Sequence, residues 1–262
     1  MDFKYWRQQT SDKALFPDIE WNRPEQKSHA GKLAIVGGNK LGFVAVGDAY
    51  ATAQAAGIGQ IRVLLPEVLK KSVPPVIGDV VFAPNNPSGG LSKEADANMK
   101  AISAWADAVL LIGDAGRNSE TAILYEDFVR NYGGLLTITR DAVDLMLTAP
   151  EVMVERDNTL LVASFAQLQK IFMKVYYPKM LTFSMQLQQL VETLHKFTIT
   201  YPVTIMTLHQ DHLVIASSGQ VTTTPWNNPM AIWKGTVGTH AATYWLWNPG
   251  KPLEAATASL VS

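Results

Sequence analysis

Three glycine-bearing segments carry the residue types best suited to hold an anion: Gly37-Gly38-Asn39-Lys40-Leu41-Gly42, Gly113-Asp114-Ala115-Gly116-Arg117-Asn118 and Gly235-Thr236-Val237-Gly238-Thr239. Each stands where an apolar run gives way to a helical pattern. Glycine backbone beside the free N–H groups and positive dipole of a helix start is a phosphate-binding arrangement. A glycine turn also ends most strands in chains of this kind, so one segment alone says little. The three together, in strand–loop–helix order, point to a nucleotide site. None is a P-loop, since neither Lys40 nor Lys234 is followed by Ser or Thr in a GxxxxGK frame, and none is a GxGxxG fingerprint. The GxSxG elbow of the α/β-hydrolases is absent.

Other reactive groups have plain alternatives. His209 and His212 invite a metal pair, but they flank a hairpin turn with only Asp211 beside them, so a solvated turn and no metal site are expected. His240 is the one histidine at the third segment, where an ordinary helix-start residue also accounts for it. His29 and His195 read as structural. Asp141 closes the run TITRD and either caps the helix AVDLMLT or reaches a ligand, two uses of the same carboxylate. Trp226, Trp233, Trp245 and Trp247 gather near the third segment, as packing or as a base-stacking surface.

These groups need a scaffold, and the remaining sequence supplies one. The 262 residues include no cysteine, 22 Lys and Arg against 23 Asp and Glu, and 47% hydrophobic residues. Without cysteine there are no disulfides, thiolate nucleophiles or thiolate zinc sites. A net charge of −1 gives no footprint for nucleic acid or an anionic membrane. The start, MDFKYWRQQTSDK, lacks an apolar signal core, and no apolar run is long enough to span a bilayer, so a soluble cytoplasmic protein is expected.

Residues 1–30 read as an arm whose Trp6, Phe16 and Trp21 pack on the body or on a neighbouring subunit, and 31–262 as a single domain. KLAIVGG, QIRVLLP, DVVFAP, DAVLLIGDAG, GGLLTITRD and NTLLVAS read as strands. Between them lie a helix ended by Gly57, a helix capped by Ser92 and a helix running from Ser119 to Gly133. FAQLQKIFMKVY and FSMQLQQLVETLHKF are further helices, and VTIMTL, DHLVIA and QVTTT three more strands. WKGTVGTHAATYWLW reads as a glycine-bearing loop running into a helix, with a last helix after Pro252. Such alternation builds a mostly parallel sheet with helices on both faces, whose ligands bind at the carboxyl ends of the strands.

The order of these loops resembles the ribokinase-like superfamily, specifically its ATP- or ADP-dependent NAD(P)H-hydrate dehydratases and their carbohydrate-kinase-like relatives. The likeness runs from about Lys32 to the C-terminus. KLAIVGGNKLGFVAVGDAYATAQAAGIGQIRVLLPE resembles the opening strand, glycine loop, alanine-rich helix and second strand. ADAVLLIGDAGRNSET resembles the strand before a GPGLGR-type loop, and LLTITRDAVDLM the strand ending in Asp-Ala-Asp-Ala-Leu, with Asp141 on the second aspartate. The resemblance implies a three-layer α/β/α ribokinase-like sandwich with a mostly parallel central sheet. It also implies ATP or ADP with Mg2+, an NAD(P)H-type ligand and a homo-oligomer, a tetramer. Nucleotide or substrate contacts would fall at Gly38, Asn39, Ala45, Gly113, Gly116, Arg117, Ser164, Gly235, Thr236, Gly238 and His240, and catalytic positions at Asp141 and Thr239.

The later motifs depart from the family. Thr-Pro-His-Pro-Gly-Glu is replaced by Val162 to Gln167, putting Ser164 at the histidine and Gln167 at the glutamate. Ile205-Met206-Thr207 stands where a Lys-Gly step should follow, and Thr239 where the catalytic aspartate should be. Threonine has no accessible basic form near neutral pH, and one lost base costs about 10²–10⁴-fold in rate. Three readings follow: a pseudoenzyme that binds a nucleotide or nicotinamide-type ligand with parental catalysis reduced or lost, a working dehydratase or small-molecule kinase with relocated groups, and a structural oligomer.

Overall fold

The computed structural model describes residues 3 to 261; Met1, Asp2 and Ser262, outermost in the expected arm and domain, lie outside the described residues. In chain order the elements are β1 (Trp6–Gln8), α1 (Asp18–Trp21), β2 (Lys32–Gly37), α2 (Val44–Ala56), β3 (Gln60–Pro66), β4 (Asp79–Ala83), α3 (Asp96–Trp105), β5 (Ala108–Gly113), α4 (Ser119–Asn131), β6 (Leu135–Thr139) and α5 (Asp141–Leu145). They continue with α6 (Glu151–Val154), β7 (Thr159–Val162), α7 (Phe165–Lys174), α8 (Leu187–Thr200), β8 (Thr204–His209), β9 (His212–Ser217), β10 (Gln220–Pro225), α9 (Pro229–Lys234), α10 (Thr236–Trp247) and α11 (Pro252–Ala258).

One ten-stranded sheet runs β1-β10-β9-β8-β7-β6-β5-β2-β3-β4. From β8 to β4 every neighbouring pair is parallel; β9 is antiparallel to both β8 and β10. The middle strands are largely apolar because both faces are covered. Ala34, Val36, Val109, Leu111 and Ile138 pack with α3 to α8. Their neighbours in sequence, Leu33, Ile35, Leu110 and Ile112, pack on the opposite face with α2, and Val162 with α1, α9, α10 and α11. This is the three-layer α/β/α sandwich with a mostly parallel sheet that the sequence predicts.

Local signals account for many of the joints. Gly57 closes α2 in the left-handed region at φ 101°, its N–H reaching the Ala53 and Gln54 carbonyls. Ser218 and Gly219, at φ 47° and 75°, make the primed turn that suits a two-residue hairpin between β9 and β10. Other boundaries differ from the sequence reading. Ser92 makes no capping bond; a 3-10 turn over Lys93–Ala95 separates it from α3. Asn118, not Ser119, caps α4, accepting from the Glu120 and Thr121 amides, and α4 ends at Asn131. His209 is buried rather than solvated, stacked on Phe165 and bonded through Nε2 to the Met185 carbonyl.

The arm contributes a strand: β1 lies parallel to β10, and Trp6 Nε1 donates to Thr223 Oγ1 at 2.9 Å. Ile19 of α1 is buried, whereas Trp21, expected to pack on the body or on a neighbouring subunit, is 87% exposed and does not pack on the body. No helix among the described residues is long and apolar enough to cross a membrane.

Candidate functional site

Parallel β5, β6 and β7 end side by side, and their carboxyl ends meet the α9–α10 junction. A cleft of about 250 Å³ opens there, lined by Asp114, Thr139, Arg140, Asp141, Asp144, Val162, Ser164, Gln167, Ile232 and Trp233. Its chemistry is set by how these residues are spent on one another.

Asp141 does not cap its own helix. Its Oδ1 accepts the Asp114 amide at 2.7 Å and its Oδ2 the Ala115 amide at 3.1 Å, clamping the loop after β5. Gly113 must be glycine: its φ is 95°, and a β-carbon there would collide with Asp141 Oδ1. Burial pushes the Asp141 carboxyl up; the Asp114 amide pulls it down, the nearby Asp114 carboxylate pushes it up again, and burial prevails.

Asp114 turns in two directions. Oδ2 accepts the Ala45 amide at 2.7 Å, at the start of α2, and Oδ1 pairs with Arg140 Nη2 at 2.7 Å. The helix start that the sequence marks for a phosphate thus receives the chain's own carboxylate, as its dipole favours. Asn39 is spent in the same way. Its side-chain amide donates to the Asp114 carbonyl and its Oδ1 accepts the Leu41 amide at 2.7 Å.

Nothing in the sequence singles out Arg140. It joins β6 to α5 at φ 58°, ψ −138°, a region that costs a side-chain-bearing residue about 1–3 kcal/mol and that persists where its surroundings enforce it. Its side chain crosses Gly235, where a β-carbon would lie 3.0 Å from Arg140 Cδ. Arg140 Nε and, one residue earlier, Thr139 Oγ1 are buried without a hydrogen-bond partner. Replacing Arg140 by Gly is expected to change stability by less than about 1 kcal/mol, since strain relief offsets the lost ion pair. Arg140→Ala, which keeps the strain and loses the pair, is expected to cost about 2 kcal/mol more than Gly in urea unfolding.

Ser164 and Gln167 form a capping box at the start of α7. Gln167 also donates to the Arg140 carbonyl at 2.7 Å and to Asp144 Oδ2 at 2.8 Å, tying α7 to the Arg140 bend.

The expected loop before α10 is a correction: α9 and α10 abut through Gly235 alone, at φ 84°. Gly238 of α10 faces the strand ends, where a β-carbon would make ordinary contact at 3.4 Å from Val162 and 3.6 Å from Thr139. Thr239 is wholly buried, its hydroxyl donating to the Gly235 carbonyl at 2.9 Å, and Thr236 Oγ1 donates to the Ala231 carbonyl. His240 faces the Ser259 carbonyl at 3.5 Å, and Arg117 is exposed. Of the expected residues, only Asp141 and Ser164 line the cleft. Gly113 and Gly235 abut its residues, while Gly38, Asn39 and Gly116 belong to the adjoining loops and Ala45 to the first turn of α2. Among the tryptophans Trp233 alone stands at the cleft, 59% exposed; Trp245 is core, Trp226 bonds to the Asn228 carbonyl and Trp247 to that of Ala30.

The residues present do not fit a directly held magnesium ion. Asp114 and Asp141 are committed to amides and to Arg140, and among the described residues no three acidic, histidine or cysteine side chains are grouped to hold a metal. The cleft is also below the roughly 300–1,000 Å³ of a pocket for a drug-sized ligand, so it has room for only part of such a molecule.

A doubly covered parallel sheet whose cleft opens at the strands' carboxyl ends, under the α9–α10 junction, is the fold this chain shares with ribokinase-like proteins. No protein-family model and no curated protein matches this sequence. Solved structures do. A ribokinase-like superfamily protein from Enterococcus faecalis V583 aligns with 100% of this chain and 87% of its own, with a TM-score of 0.71 and 14% identity. An ADP/ATP-dependent NAD(P)H-hydrate dehydratase from Bacillus subtilis, co-crystallised with ATP/Mg2+ and soaked with CoA, aligns over 95% of this chain and 87% of its own, with a TM-score of 0.63 and 14% identity. The pyridoxal kinase from Staphylococcus aureus, in complex with AMP-PCP and pyridoxal, covers 87% and 84%, with a TM-score of 0.56 and 10% identity. At these identities the likeness is one of fold.

Proposed function

We propose that this chain binds one end of a nucleotide or nicotinamide-type molecule in the cleft, with the parental nucleotide-driven chemistry reduced or lost. The observation that carries this reading is Thr239, wholly buried with its hydroxyl given to the Gly235 carbonyl. A residue so placed offers no base to a substrate hydroxyl, and one lost base costs about 10²–10⁴-fold. The indole of Trp233 at the rim supplies a face for a flat ring that extends out of the cleft.

Titration calorimetry with ATP, ADP, AMP, NADH and NADPH tests the binding, with at least one expected to saturate by about 1 mM. Absence of binding by all five overturns it. The same protein, given hydrated NADH with ATP or ADP, is expected to show no recovery of NADH absorbance above the uncatalysed rate.

One observation favours a working enzyme instead. Asp141 is a part-buried carboxylate with a raised pKa, facing the same cleft. Against it, both its oxygens are already committed to amides. Turnover that vanishes in Asp141→Ala and survives in Thr239→Ala would decide for this alternative.

A further inference from the structure

The larger cavity lies elsewhere. A groove of about 670 Å³ runs along α8 beneath the segment that follows α7, and its Tyr201 end sits three residues before β8, at the amino ends of the strands. The cleft opens at their carboxyl ends, so the two are separate.

The groove has an aromatic wall. Tyr177 meets Phe172 edge-on at 5.0 Å and Phe197 at 4.9 Å, and Tyr201 lies 4.6 Å from Phe197. Tyr177 and Tyr201 themselves line the cavity, whose volume falls within the usual range of about 300–1,000 Å³ for small-molecule pockets. Tyr176 stands at its mouth, 91% exposed and in the left-handed region at φ 53°. Burial holds the Tyr177 phenol above its ordinary value, so near neutral pH it remains a hydrogen-bond donor.

Charge at the rim is unbalanced. Lys179 and Lys196 face a single carboxylate, Glu192, which pairs with Lys196 at 2.7 Å on α8. An exposed pair of this type contributes little to stability, so Lys196 can turn to an incoming anion at small cost.

We propose that this groove is a second ligand site, taking a planar aromatic molecule that bears one acidic group. The ring stacks on the tyrosine wall and the acidic group meets the two ammonium groups. Neither the cleft nor its chemistry takes part.

The test is fluorescence titration of the full chain with 8-anilinonaphthalene-1-sulfonate, a flat aromatic anion, beside uncharged N-phenyl-1-naphthylamine. One saturable sulfonate site per chain is expected, with the uncharged probe bound at least about fivefold more weakly at low salt. Lys179→Glu combined with Lys196→Glu is expected to weaken sulfonate binding about tenfold. Thr200→Trp, which narrows the groove from an exposed lining position, should weaken both probes, with circular dichroism confirming that each variant is folded. Equal affinity for the two probes, sulfonate binding indifferent to both variants, or no saturable site overturns the proposal.

Discussion

Asp141→Ala is expected to lower the unfolding free energy by about 4 kcal/mol, because two amides of the β5 loop lose a charged acceptor at once. Each bond to an ionised group contributes about 1.5–3 kcal/mol, and an abandoned buried N–H costs about 1–3 kcal/mol. For a chain of this length that is a fall of roughly 10 °C in Tm, measurable by scanning calorimetry. Asp141→Asn retains one acceptor but turns an amide N–H toward an amide donor, so it should recover only part of the loss. The pH dependence separates these contributions. The folded-state pKa of Asp141 is raised, so its share of stability is full below the ordinary carboxylate value and is lost as pH rises through the raised one. Wild type should therefore exceed Asp141→Asn by more at about pH 4 than at about pH 7 in urea unfolding. A margin that is flat, or that grows toward neutrality, would contradict the burial argument.

Thr239→Asp addresses the proposed loss of a base directly. The new carboxylate would sit at a fully buried position whose present hydroxyl gives its hydrogen to the Gly235 carbonyl. An aspartate there accepts only, so it faces that carbonyl with no proton to share. Desolvation of a buried ion costs several kcal/mol, and the start of α10 returns at most about 2 kcal/mol through its dipole. The net expectation is a loss of about 3 kcal/mol, with no turnover gained. A Thr239→Asp variant of unchanged Tm that restores NADH absorbance from its hydrate would show the start of α10 open to substrate, and would overturn the proposed loss of chemistry.

The layers of the fold are legible because burial on both sides leaves an unmistakable record. LAIVG and AVLLIG have no room for polar residues, and Gly57 sits where a left-handed residue must end α2. The cleft is harder to see. Arg140 and Asp114 meet because each holds a positive φ, at 58° and 53°, and nothing in their residue types announces this. Asp141 stands out in the sequence as a carboxylate at a strand end, but its true partners are 26 and 27 residues earlier. His209 resembles a turn residue because its neighbours are polar, whereas Phe165 and the Met185 carbonyl, distant in sequence, bury it. Gly235 reads as part of an open loop because α9 is only six residues long, too short for a periodic pattern.

The edge strand of the arm has a bearing on how the chain acquires its shape during synthesis. Trp6 bonds to a partner 217 positions further along, so its place cannot exist until the chain through Thr223 has left the ribosome. Pairing across so wide a loop is slow, and until it forms the outer edge of β10 presents unsatisfied backbone to any neighbouring nascent chain. Once in place, the short strand covers that edge.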